Sequence, residues 1–138
     1  MIDKQQWTSI FMRRTLARMS GGVFIQVDSG PDEVMAHLLA GDHLLGVYAP
    51  SEATQEQRVY VAEQGIVLFE QGWHFLSYKS IARVTVDLAG TTKMAAERAR
   101  ILRHDGTECI VTIVGGGPRH RDVFTFVGFL SKSADAHR

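Results

Sequence analysis

The sequence predicts an α+β fold that is mainly β, an antiparallel meander closed by a C-terminal helix and preceded by an added N-terminal helical segment. Three observations carry that prediction. Two β-rich runs meet at Gln64-Gly65 within residues 58–69, and a third returns after Gln71-Gly72. Asp105-Gly106, a strong turn signal between paired strands, stands directly before a second β-rich run. At the end of the chain, Val123, Phe126, Val127 and Leu130 fall on one arc at 100° per residue, as a docking helix requires, although β-propensity alone would favour a strand.

The elements follow in order. Residues 3–19 lack Gly and Pro and stop at Ser20-Gly21-Gly22, the pattern of a helix ended by glycine. Residues 23–27 form a short strand or an extended linker. Pro31, Asp32 and Glu33 suit the start of a second helix, which runs to Ala40 before Gly41. Residues 44–49 are a strand cut off by Pro50, and residues 51–57 are a polar loop. A meander of three strands spans residues 58–87.

Residues 93–102 are rich in helix formers. The Asp105-Gly106 turn nevertheless needs a strand on each side, so residues 97–104 and 107–114 are expected to pair as a hairpin. Gly115-Gly116-Gly117-Pro118 then breaks the chain before the terminal helix at Asp122.

Composition bounds the answer. A chain of 138 residues is one domain, long enough to bury roughly two thirds of its unfolded surface. Its 15 basic and 15 acidic residues cancel, so no global field points to nucleic acid. One cysteine, Cys109, excludes an intrachain disulfide, fits a reducing compartment, and reads as a buried small apolar residue rather than a reactive thiol. No apolar run approaches the ~20 residues of a membrane span, and the first residues lack a secretory pattern, so the expected location is cytoplasmic.

Leu44-Leu45-Gly46-Val47-Tyr48 precedes an R-x-Y-V-x-x-x-G-I-x-x-F hairpin from Arg58 to Phe69. A Y-x-x-I-x-x-V strand follows at Tyr78, Ile81 and Val84, then the D-G turn and the terminal helix. In this order the elements resemble the bacterial pleckstrin-homology-like family over residues 42–133, with 1–41 as an N-terminal helical extension and 134–138 as a tail. The resemblance implies a strongly bent barrel or sandwich of about seven strands capped by the C-terminal helix. It also implies a non-enzymatic module that binds a protein partner or assembles with itself. Phosphoinositide binding is known mainly from the family's eukaryotic relatives, whose basic loop between the first two strands corresponds here to residues 51–57. That segment carries two acids, Glu52 and Glu56, and no base.

No residue set points to catalysis. There is no G-x-S-x-G elbow, and the Ser77 and Ser80 spacing has no mechanical meaning on a strand. The six histidines lack the helical spacing of a zinc site, so no metal and no cofactor are expected. Interaction candidates are Trp7, Ile10 and Phe11, which share one side of the first helix with Arg14 and Arg18, and Trp73 in the turn before Phe75. Met12, Leu16 and Met19 make a second apolar stripe on that helix. Two stripes favour packing between protein surfaces over lying on a membrane. Trp73 either anchors a partner or folds back onto the barrel.

Anion-binding candidates are Arg58, Lys79, Arg119 and Arg121, the last two beside the glycine loop where backbone amides open a helix. A flexible connection explains that loop equally well. These residues would serve the alternative reading, an anionic-lipid or phosphate-binding module at the cytoplasmic membrane surface.

Overall fold

A computed structural model describes residues 8, 10, 12, 14–16, 24–49, 58–92, 96–113, 116–117 and 120–137. Two antiparallel sheets face each other across one apolar core. The first has five strands in chain order: β1 (Phe24–Gln26), β2 (Leu44–Tyr48), β3 (Val59–Ala62), β4 (Gly65–Phe69) and β5 (Trp73–Ser77). The second has three: β6 (Ile81–Asp87), β7 (Arg98–Arg103) and β8 (Glu108–Thr112). A short helix, α1 (Asp32–Met35), lies between β1 and β2. The hairpin β9 (Gly116–Gly117) with β10 (His120–Arg121) leads into α2 (Asp122–Ala136).

Strands β2–β5 and β6–β8 are the seven expected in the barrel, and α2 packs on β6 as its cap. Each sheet carries one register shift, between Leu44 and Gly46 in β2 and between Ile81 and Arg83 in β6. An extra residue on one side of a ladder bends and twists the strand, which curves both sheets around the core.

Residues 58–87 hold four strands rather than three, because a corner divides them. Ser77 Oγ accepts from Ser80 N at 3.2 Å, and Ser80 Oγ donates to the Ser77 carbonyl at 2.7 Å. This reciprocal pair holds the 3-10 turn Tyr78–Ser80 that carries the chain from one sheet to the other. The two serines therefore do have a mechanical role, as a cap. At the next hairpin the strand expectation over 97–104 holds in β7, since pairing with β6 and β8 overrides the helix propensity of its residues. Gly106 takes φ +90°, and Asp105 Oδ1 accepts from Thr107 N at 2.9 Å and Thr107 Oγ1 at 2.6 Å. Those two bonds hold the Asp105 carboxyl below its usual range.

The helix expected to reach Ala40 is confined to four residues. After Met35 the bonds shorten to His37 N with the Val34 carbonyl and Leu38 N with the Met35 carbonyl, a tightening that ends in Gly41 at φ +78°. The terminal helix is longer than its apolar arc and continues to Ala136, burying Ala134.

The core between the sheets contains Tyr48, Val61, Ile66, Leu76, Tyr78, Ile101, Phe126 and Phe129, all essentially inaccessible. Met12 and Leu16 of the second apolar stripe join it and pack inward, while Met19 lies outside the described residues. A second cluster lies on the outer face of the five-stranded sheet. Val34 of α1 covers Leu44, Val47, Tyr60 and Val67, with Val27, Met35 and Leu38 beside them. Hence β3 is buried at all four positions and shows no alternation. Residues 24–41 thus supply one strand to the sheet and one cover to its outer face.

Candidate interaction surface

The two sheets part at one corner, where the edge strand β8 faces the ends of β3 and β4. A cleft of about 190 Å³ opens there, lined by Arg58, Val59, Leu68, Phe69 and the last three residues of β8, Ile110, Val111 and Thr112. Its floor is apolar, because Val59, Leu68 and Val111 point toward the core and are buried. Its charge is Arg58, which is exposed and makes no ion pair among the described residues.

Backbone chemistry lines one side. Arg103 N donates to the Thr107 carbonyl and Ile113 N to the Glu97 carbonyl, which fixes the odd-numbered residues of β8 as the bonded partners of β7. The alternate residues Ile110 and Thr112 turn their N–H groups away from β7, as antiparallel pairing requires. Ile110 N donates to Glu70 Oε2 at 3.0 Å, a side-chain carboxylate standing where a neighbouring strand would place a carbonyl. On the outer face of the same sheet Asp87 lies 3.9 Å from Arg98 and 3.8 Å from Arg100, and Arg100 bonds Glu108 at 3.3 Å. Those arginines are largely neutralised by neighbours.

The residues singled out from sequence are dispersed. Arg58 stands before β3, and Lys79 is exposed in the 3-10 turn near its far end, where Tyr78 N bonds the Gln64 carbonyl. At about 3.3 Å per residue, the length of β3 separates the two cations. Arg121 lies in β10, and Arg119 falls outside the described residues. Trp73 folds back: its ring meets Phe69 edge-on at 5.4 Å and Tyr60 at 5.9 Å, leaving it half-buried. Ile10 is 39% exposed, on the side of its segment that also presents Arg14. Trp7 and Phe11 lie outside the described residues.

Glu70, Ile110 and Thr112 were not singled out from sequence. Only the register of β8 and the bend of the turn at Glu70 bring them together, and neither leaves a local motif. Ile25, 52% exposed on the edge strand β1, is a further large apolar side chain facing solvent.

Two other polar sites are structural. Tyr78 donates to the Ala62 carbonyl at 2.8 Å, and complete burial pushes its phenol well above the usual range. Asp42 Oδ1 accepts from His43 N at 2.8 Å and Gln64 N at 3.2 Å, while partial burial raises its carboxyl. No cluster of three or more His, Cys, Asp or Glu side chains suited to a metal occurs among the described residues. No helix among them is long and apolar enough to cross a membrane.

Two curved antiparallel sheets of four and three strands, capped by a C-terminal helix and extended by β1, define the pleckstrin-homology-like fold. The chain is similar in structure to a DUF1696 family protein with a pleckstrin-homology domain from Shewanella loihica PV-4. The TM-score is 0.50 at 17% identity, covering 83% of this chain and 99% of that one. No protein-family model matches the sequence, and no curated protein matches it.

Proposed function

We propose that this protein is a non-enzymatic interaction module that binds a protein partner or assembles with itself. Domains of this fold generally mediate protein or lipid interactions. The observation that carries the reading is a pair of sheet edges with no further strand among the described residues: β1, which presents Ile25, and β8, which borders an apolar cleft. A strand edge offers a row of main-chain donors and acceptors, which is chemistry suited to another polypeptide. Ile10, exposed beside Arg14, adds a second apolar contact.

The test is the solution mass of the full chain across a concentration series, beside Ile25→Lys and Ile10→Lys. Self-assembly through these edges gives a mass that rises with concentration and falls toward the monomer in at least one variant. A monomer throughout removes the self-assembly branch and leaves a partner protein as the ligand.

The alternative, an anionic-lipid or phosphate-binding module, is favoured by one observation, the exposed Arg58 at the cleft, which has no ion pair among the described residues. Against it stand Glu70 in the same corner and the distance to Lys79. Vesicle affinity that falls steeply with salt would support it.

A further inference from the structure

The β8 edge already holds a carboxylate oxygen. Ile110 N–H, turned out of its sheet, donates 3.0 Å to Glu70 Oε2, which reaches it from the turn after β4 across 40 positions of sequence. Glu70 is exposed and so exchangeable with water or with another acceptor. One step along the edge, Thr112 presents its N–H in the same direction. Across the cleft from Thr112 stands Arg58. Between these polar margins the floor is Leu68, Val59 and Val111.

We propose that the cleft is a strand-addition site for an extended acidic segment of a partner protein. This rests on the interaction-module reading and names the partner's chemistry at that site. The segment lies along β8 and places a carbonyl on Ile110 N–H in place of Glu70 Oε2. It bonds the Thr112 edge, turns an aliphatic side chain onto Leu68 and Val111, and sets a carboxylate against Arg58. Each part is matched by a group in place: edge donors for the backbone, an apolar floor for alternate side chains, and, for the acid, a cation with no ion pair among the described residues. Glu70 then acts as an internal stand-in that keeps the edge from pairing with unselected strands.

The experiment uses the full chain and two labelled seven-residue peptides, one alternating valine with glutamate and one alternating valine with lysine. Fluorescence anisotropy reads affinity, and amide exchange reads the contact. The glutamate peptide should bind about tenfold tighter than the lysine peptide, with that preference lost or reversed in Arg58→Glu. Glu70→Ala, which frees the Ile110 amide, should tighten binding severalfold, and the Ile110 and Thr112 amides should gain protection on binding.

Equal affinity for both peptides would overturn the proposal, as would binding that leaves these two amides unprotected. So would binding of anionic vesicles through Arg58 with no peptide bound. If neither peptide binds while Ile25→Lys still dissociates an assembly, this proposal falls and the interaction-module reading stands.

Discussion

Thr8 Oγ1 lies 2.7 Å from His137 Nε2 in a buried hydrogen bond that joins residues 129 positions apart. The His137 ring in turn lies 5.1 Å from the Tyr78 ring, so the beginning and end of the described chain meet at the corner between the sheets. This contact turns the first helical segment into part of the barrel wall.

Thr8→Val keeps the shape of the side chain and removes its hydroxyl. The loss of one buried hydrogen bond should lower stability by about 1–2 kcal/mol, since the imidazole nitrogen stays buried. Urea unfolding monitored by fluorescence checks this. An unchanged midpoint would mean that the segment is not docked in solution.

Asp42 gives a pH dependence with a definite sign. Burial, its largest influence, raises its carboxyl in the folded state, so the fold favours the protonated form. Its contribution is therefore greatest below the unfolded carboxyl value and declines as pH rises through the raised folded value. Asp42→Asn keeps the acceptor for His43 N and Gln64 N but cannot ionise. Relative to wild type, the variant should gain stability as pH rises from below the ordinary carboxyl value of 3.8 through the raised folded value, and parallel stability–pH curves for the two would refute the assignment.

Gly65 sits where β4 meets β5. A Cβ at this position would strike the Leu76 carbonyl oxygen and come within 2.8 Å of Ser77 Cα, both backbone atoms that cannot swing aside. Gly65→Ala should cost about 2–3 kcal/mol. The thermal midpoint of the purified variant reads it directly, with Gly41→Ala as a control for a glycine that has open space but a positive φ.

Cys109 is buried, and desolvation pushes its thiol up. A thiol with little thiolate and little access reacts slowly. Ellman's reagent should label the folded chain far more slowly than the chain in denaturant. Comparable rates would show that β8 opens readily.

The legible part of this fold was carried by local signals. Asp105-Gly106 demands a hairpin whatever the composition of residues 97–104, and β7 and β8 pair across it. The arc of Val123, Phe126 and Leu130 marks the buried side of α2. Less legible were features set by distant chain. The Ser77 and Ser80 pair looks inert until the corner between sheets is known, and the choice for Trp73 between anchoring a partner and folding back is decided only by Tyr60 and Phe69 against its ring. The candidate site was hidden for the same reason. Glu70 and Ile110 are neighbours only because one sheet folds over the other, and a carboxylate on a main-chain amide leaves no spacing to find.

The apolar cover that α1 lays over the outer face of β3 has a consequence for mutational tolerance. With Val59, Tyr60, Val61 and Ala62 all enclosed, a saturation scan should record this strand as an unbroken block of intolerance. Strand β7, whose Arg98 and Arg100 face water while Ala99 and Ile101 do not, should record a permissive position at every second residue. The contrast would report the layering of the molecule from growth data alone.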